Sequence, residues 1–171
     1  MLFDLSHVAG DASISDAELI SGFATLMAAM RTRGIIRTKN VVGELGEWYA
    51  KHIYSTYGPR GPIFLLEKNK KDVDAKDASG AIYSIKAASL SSSRTSAFHF
   101  SKDHVASYRI FDYLVFVRVD DSLQLQCVYE FSWDKFWSLK RWNVRQKAWF
   151  LPLTKLVFES GFRVFPKLEG H

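Results

Sequence analysis

Apolar positions near the start of the chain recur every three or four residues, which is the spacing of an amphipathic helix. One such stretch predicts a helix over about 16–32, and the segment Ser15-Asp16-Ala17-Glu18 at its start is typical of a capping box. A second stretch predicts a helix over about 41–57, which Gly58-Pro59 ends. Spacings of three and four give this second helix one polar side, formed by Glu44, Glu47 and Lys51.

The rest of the chain has the shorter apolar patterns that are typical of strands. A hairpin is predicted over 72–88, with a turn at Asp77-Ala-Ser-Gly80. Alternation along its second strand places Ile82, Ser84 and Lys86 on one face. The other predicted elements are strands over 63–66, 111–119, 123–131 and 162–165, and helices over 133–141 and 152–159. Helices that precede a series of strands predict an α+β or mixed α/β layer fold.

The length and composition of the chain are those of one globular domain. A chain of 171 residues without a Pro/Gly-rich linker predicts a single domain over 1–171, with a tryptophan-rich C-terminal extension over about 132–171. One cysteine, Cys127, excludes an intramolecular disulfide and fits a reducing compartment. The N-terminus lacks a signal-peptide pattern, and no apolar run approaches the ~20 residues that a bilayer span requires. We therefore expect a cytoplasmic protein that does not enter a membrane.

Acidic and basic side chains at the predicted hairpin fit the needs of phosphodiester hydrolysis. A Mg²⁺ ion held by a few carboxylates stabilises the attacking and leaving oxygens, and a nearby lysine orients the attacking water. Because a hairpin returns on itself, Asp74 and Lys86 are expected side by side, while Glu47 projects from a helix that can pack on the sheet. The alternative is that Lys86 is an edge-strand lysine facing solvent.

Three segments carry a combined motif: residues 33–48 (RGIIRTKNVVGELGEW), residues 74–86 (DAKDASGAIYSIK) and residues 111–117 (FDYLVFV). Together they resemble a family of small bacterial proteins that joins a Gly-Ile-Ile-Arg-Thr-like segment to a Gly-(Glu/Asp)-x-x-Glu helix and a later Asp-to-Lys hairpin. These proteins are similar to restriction-endonuclease-like enzymes of the PD-(D/E)xK nuclease superfamily. The resemblance spans residues 17–130, and it implies a mixed central sheet flanked by helices.

The resemblance also implies roles for individual residues. The implied metal ligands are Asp74 and Glu47, with Glu44 as an assisting acidic position. Lys86 would be the catalytic lysine. Superfamily members carry Glu, Asp or Gln two residues before that lysine, where this chain has Ser84, a shorter and poorer ligand. Water and the backbone carbonyl of Ile85 would then complete the coordination.

Basic and hydroxyl-bearing segments lie beside these residues in sequence, and such side chains commonly contact phosphates. The candidate nucleic-acid contacts are Arg33, Arg37, Lys39, Lys70, Lys71, Ser92, Arg94, Arg141 and Arg145. A net charge of +5 is compatible with binding a polyanion. The alternative for each segment is an ordinary solvated loop. The tryptophans near Arg141 and Arg145 fit packing or a protein interface better than base stacking.

These features lead us to predict a metal-dependent endodeoxyribonuclease, such as a restriction or defence enzyme, that uses Mg²⁺ or Mn²⁺ on duplex DNA. Its predicted catalytic residues are Glu47, Asp74, Ser84 and Lys86. A homodimer is the expected form, because one site per chain requires two chains to cut both strands. Two alternatives stay open: a DNA-binding protein that keeps the nuclease fold without the reaction, which Ser84 favours, and a structural or regulatory module that docks through its tryptophan-rich tail.

Overall fold

A computed structural model describes residues 14–67 and 72–166, and the chain divides into two compact units at the Lys39–Asn40 boundary. The first unit contains helix α1 (Asp16–Thr32), none of whose residues is buried. The predicted capping box is confirmed, since the Ser15 backbone amide donates to Glu18 Oε2 at 2.8 Å and the Glu18 amide donates to Ser15 Oγ at 3.4 Å. The prediction of one domain over 1–171 stays a prediction.

The second unit carries the sheet and the remaining helices. Its described helices are α2 (Val41–Tyr57), α3 (Trp133–Leu139) and α4 (Lys155–Ser160). Its described strands are β1 (Ile63–Leu65), β2 (Ala75–Asp77), β3 (Ile82–Ser89), β4 (Tyr113–Val119), β5 (Leu125–Ser132), β6 (Arg141–Asn143), β7 (Ala148–Phe150) and β8 (Phe162–Phe165). The expected mixed α/β class is therefore observed.

Six strands form one mixed sheet in the order β1-β2-β3-β4-β5-β8, and β6 pairs with β7 in a separate hairpin. Strands β3 and β4 are parallel, whereas the other neighbours in the sheet are antiparallel. A parallel pair needs a long crossover connection, and the segment between Ser89 and Tyr113 provides it. This crossover contributes several of the residues of the site described below.

Alternate residues of the central strand β4 supply two cores, one on each face of the sheet. Val115 and Val117 share a core with Ala50 and Tyr54 of α2. Phe116 lies in the other core with an aromatic group formed by Phe98, Phe111, Phe131, Trp133 and Phe136. Burying a side chain of this size stabilises the fold by roughly 1.5–3 kcal/mol. Both faces of β4 are covered, which explains its nearly continuous apolar sequence.

The C-terminal part of the chain differs from its prediction in three places. Helix α3 ends at Leu139 rather than 141, because Arg141 already pairs with Phe150 in the β6–β7 hairpin. Helix α4 begins at Lys155 rather than 152, where the Thr154 hydroxyl accepts from the Val157 amide. The β6–β7 hairpin itself is not among the predicted elements.

Tryptophans of the predicted C-terminal extension pack within the second unit. Trp133 is fully buried in the second core. The Lys140 ammonium lies 3.4 Å from the ring centroid of Trp137 and 3.8 Å from that of Trp149. Burial, together with the nearby positive charge of Arg141, lowers the pKa of Lys140. These three tryptophans therefore take part in packing within the unit, and the choice between an interface and a DNA contact for their exposed parts stays a prediction.

Candidate functional site

Helix α2 reaches the sheet through a close contact between Gly46 and Ala87 of β3. A Cβ atom on Gly46 would lie 2.3 Å from the Ala87 Cβ, so only glycine permits this approach. The helix begins at Asn40, whose side chain accepts a hydrogen bond from the Gly43 amide at 3.2 Å. The contact brings the first two turns of α2, including Glu47, beside β3.

Asp74 lies just before β2 and is held against β3. Its Oδ2 atom accepts a 2.6 Å hydrogen bond from the Ile85 amide and a 3.3 Å hydrogen bond from the Ser84 hydroxyl. Burial raises the pKa of Asp74, and the Ile85 hydrogen bond and the positive charge of Lys86 only partly offset this effect. Within the described residues, both hydrogen bonds to this side chain end on Oδ2, which leaves Oδ1 available to a ligand.

Lys86 is largely buried and pairs with Asp72 rather than Asp74. Its Nζ atom donates to Asp72 Oδ1 at 2.7 Å, with side-chain exposures of 13% for the lysine and 5% for the aspartate. The same ammonium lies 4.7 Å from the centroid of the Phe98 ring. Asp72 Oδ2 also accepts from the His99 amide at 3.1 Å, which ties the crossover segment to this pair. A lysine has three donors, so one bond fixes Nζ and two N–H groups remain for a ligand.

A cavity of about 480 Å³ collects these side chains in the second unit. Glu47, Asp74 and Lys86 line it together with Ser92 and Arg94 from the crossover segment. Carboxylate oxygens are ligands that Mg²⁺ prefers, and arginine and hydroxyl groups bind phosphate oxygens. The sequence predicted that Glu47, Asp74 and Lys86 meet in space, and all three face this one cavity.

No family model matches this chain, and no curated protein matches it. Fold and chemistry are therefore the grounds for a function. The described residues contain no group of three or more His, Cys, Asp or Glu side chains arranged to hold a metal ion. Glu47 and Asp74 are the carboxylates among the described lining residues, and Mg²⁺ often takes only one or two carboxylates besides waters and substrate oxygens.

Three other predicted residues of the site have different surroundings. Ser84 is fully buried and, like the 1% exposed Glu44, is absent from the lining of the cavity. The Ser84 hydroxyl supports Asp74 through the hydrogen bond given above. Ile85 lines the cavity, and its backbone amide holds the Asp74 carboxylate.

The predicted nucleic-acid contacts are distributed widely. Ser92 and Arg94 line the cavity, and the Arg94 guanidinium lies 5.2 Å from the Phe150 ring centroid. Arg141 and Arg145 are exposed on strand β6 and in the turn that follows it. Lys70 and Lys71 lie outside the described residues, and Arg33, Arg37 and Lys39 belong to the first unit.

Asp72 is the residue of the site that the sequence analysis did not single out. It has a left-handed backbone conformation, with φ of 61°, which an aspartate adopts at some cost. The sequence Asp72-Val73-Asp74 places two carboxylates two residues apart before β2, opposite a lysine on the returning strand. That spacing is the signal that indicates a second acidic partner.

No helix among the described residues is long and apolar enough to cross a membrane.

Proposed function

We propose that this protein is a metal-dependent nuclease of the restriction-endonuclease-like type that hydrolyses phosphodiester bonds in DNA. The observation that carries the proposal is the convergence of Glu47, Asp74 and Lys86 on one cavity from a helix and two strand regions. Arg94 and serines of the same cavity supply phosphate-binding groups beside them. A chance grouping of solvated charges would not need a lysine that is 13% exposed and paired with a buried aspartate.

The residues of the cavity have separate roles in the proposed hydrolysis. Glu47 and Asp74 would hold Mg²⁺ or Mn²⁺, which when bound activates water and neutralises charge on the phosphate. Asp72 fixes the Lys86 ammonium through one hydrogen bond, and the remaining N–H groups orient the attacking water or the phosphate. Arg94 and Ser92 would bind the neighbouring phosphates and hold the DNA backbone across the cavity.

The test of this proposal is cleavage of a supercoiled plasmid in Mg²⁺ or Mn²⁺, with the Glu47→Gln and Asp74→Ala variants beside the wild type. We expect metal-dependent cutting by the wild type and a loss of about a hundredfold or more in each variant. Asp121→Asn, at an exposed aspartate of the β4–β5 turn, is the matched control and should cut normally. Equal cutting by all four proteins would refute the assignment of the site.

A homodimer belongs to the same proposal, because one active site per chain cuts one strand. Linear plasmid formed without accumulation of the nicked form would indicate two coordinated sites. The molecular mass in solution, measured by light scattering at the concentration of the assay, should then correspond to two chains. A monomer that only nicks would contradict the dimer while leaving the nuclease assignment intact.

A second candidate is a DNA-binding protein that does not cut, and the surroundings of Ser84 favour it. The superfamily places a carboxylate or amide where this chain has a buried serine that donates to Asp74. Among the described residues, the lining of the cavity therefore has two carboxylates rather than three. DNA binding in EDTA at low salt, together with no cleavage in any divalent metal, would support this candidate. Low salt is essential because non-specific affinity falls steeply as salt rises.

A further inference from the structure

A second and larger cavity, of about 940 Å³, lies among β4, β5, β8 and α4. None of its described lining residues belongs to the cavity of Glu47, Asp74 and Lys86. Its walls are mainly apolar and aromatic, with Leu90, Tyr129, Phe158 and Phe162 among them. A volume of this size lies within the range of pockets that bind small organic ligands, roughly 300–1,000 Å³.

The register of the sheet places two arginines on the wall of this cavity. Arg118 of β4 pairs directly with Cys127 of β5, and Tyr129 of β5 pairs directly with Arg163 of β8. All four residues line the cavity, so the two guanidinium groups approach it from strands on either side of β5. Both positive charges also act on the Cys127 thiol between them, although burial is the larger effect and raises the pKa of that thiol.

The two arginines have no acidic partner among the described residues. Arg118 donates from one terminal nitrogen to the Leu90 carbonyl, and its guanidinium lies 5.3 Å from the Phe158 ring centroid. The Arg163 guanidinium lies 5.8 Å from the Tyr129 ring centroid. Glu159, the acidic residue of the lining, pairs with Lys155 at 3.6 Å.

The Nε atoms of both arginines are buried without a hydrogen-bond partner in the part of the chain that the structure describes. A buried donor without a partner costs free energy. Both arginines are partly buried and line the cavity, so an anion bound there can accept hydrogen bonds from them and offset their positive charges.

We propose that this cavity binds a phosphate monoester with a flat apolar body. A phosphate monoester carries about −1.5 to −2 charges near neutral pH, which matches the two guanidinium groups. The rings of Tyr129 and Phe158 pack on the flat body of the ligand, and the arginines hold the phosphate. The cavity of Arg118 and Arg163 is separate from the proposed nuclease site, so evidence against either proposal leaves the other unaffected.

The experiment is calorimetric titration of the full chain with 1-naphthyl phosphate in EDTA, where metal-dependent hydrolysis is excluded. We expect saturable binding of 1-naphthyl phosphate at one site. The affinities of 1-naphthol and of inorganic phosphate should each be at least about tenfold lower, because the first lacks the phosphate and the second lacks the aromatic ring. Arg118→Gln and Arg163→Gln should each weaken binding by about tenfold, since each removes a charge-assisted hydrogen bond. Arg109→Gln, at a surface arginine paired with Asp134, is the matched control.

Thermal unfolding separates binding from folding in these variants. Without ligand, Arg163→Gln should melt at the same temperature as the wild type or higher, because it removes an unpaired buried donor. A clearly lower melting temperature would assign the arginine a structural role and overturn the proposal. Inorganic phosphate binding as tightly as the naphthyl ester would also overturn it, as would equal affinity in wild type and both arginine variants. Lys86→Ala should bind the ester like the wild type.

Discussion

The pairing of Lys86 with Asp72 decides what the lysine can do. A half-exposed lysine without a partner would sample many positions, whereas the bond to Asp72 Oδ1 fixes Nζ at the edge of the cavity. Asp72 also receives the His99 amide, so it links β3 to the crossover segment. In the proposed reaction Asp72 is a positioning residue, since it acts through Lys86.

Replacement of Asp72 by Asn tests this role. Removing one partner of a largely buried ion pair leaves the other charge uncompensated, so we expect a loss of about 2–3 kcal/mol in the free energy of unfolding. Chemical denaturation measures that loss, and the double variant Asp72→Asn/Lys86→Met should lose less than the two single changes together. Additive losses would show that the two residues do not interact.

Replacement of Asp74 by Asn should stabilise the protein near neutral pH, whereas replacement of Asp72 by Asn should destabilise it. Its folded pKa is raised by burial, so its contribution to stability is greatest below the unfolded pKa of about 4 and is lost as the pH rises through the folded pKa. We therefore expect Asp74→Asn to raise the melting temperature near pH 7, by about 3 °C if the gain is ~1 kcal/mol. Below about pH 4 the two proteins should melt alike, because Asp74 is then neutral in both states. A lower melting temperature at pH 7 would contradict the burial argument.

At the scale of elements, the approach of α2 to β3 places Glu47. Gly46 and Ala87 are small residues facing each other, and together they allow the helix backbone to lie close to the strand. A larger side chain at either position would push the helix outward. Glu47 follows Gly46 directly, so such a shift would move its carboxylate relative to Asp74.

Gly46→Ala is therefore expected to destabilise the protein by about 1–3 kcal/mol, the usual effect of overpacking. Ala87→Gly in the same chain should restore much of the stability, because it removes the atom that the new methyl group meets. Denaturant unfolding measures both changes. Gly22→Ala in α1 is the control, because its Cβ meets nothing within 4 Å. Failure of the second change to restore stability would show that the contact is not limiting.

Most of the helices and strands were predictable, because caps, apolar spacing and stop residues lie within or beside the element that they define. The second helix was predicted over 41–57 and is Val41–Tyr57, since its cap, apolar spacing and Gly58-Pro59 stop are all in sequence. The β6–β7 hairpin was missed because its turn contains neither glycine nor proline. Lys147 takes the left-handed conformation there, with φ of 48°, which sequence alone does not reveal.

The candidate site was predictable only in part. Asp74 and Lys86 belong to one hairpin, so turn chemistry alone brings them together. The position of Glu47 in the cavity depends on how α2 packs on the sheet, and the position of Arg94 depends on the path of the crossover to β4. Asp72 was missed because the Asp72-Val73-Asp74 spacing indicates a second carboxylate but does not show which of the two pairs with Lys86.

At the scale of the whole molecule, the second unit combines a mixed six-stranded sheet with two cavities of different chemistry. One contains carboxylates, a lysine and hydroxyls. The other is mainly apolar and contains two arginines that have no acidic partner among the described residues. Strand β3 carries Lys86 of the first cavity, and its parallel neighbour β4 carries Arg118 of the second.

We propose that the cavity lined by Glu47, Asp74 and Lys86 performs metal-dependent cleavage. The most direct test is to compare the rate of plasmid cleavage in Mg²⁺ by the Lys86→Ala variant with the rate by the Lys76→Ala variant. Lys76 is an exposed lysine of the neighbouring strand β2, so the two variants remove the same group from adjacent strands. We expect a wild-type rate for Lys76→Ala and a rate at least about a hundredfold lower for Lys86→Ala. Equal rates in the two variants, or no cleavage by the wild type with Mg²⁺ or Mn²⁺, would contradict the assignment of metal-dependent cleavage to this cavity.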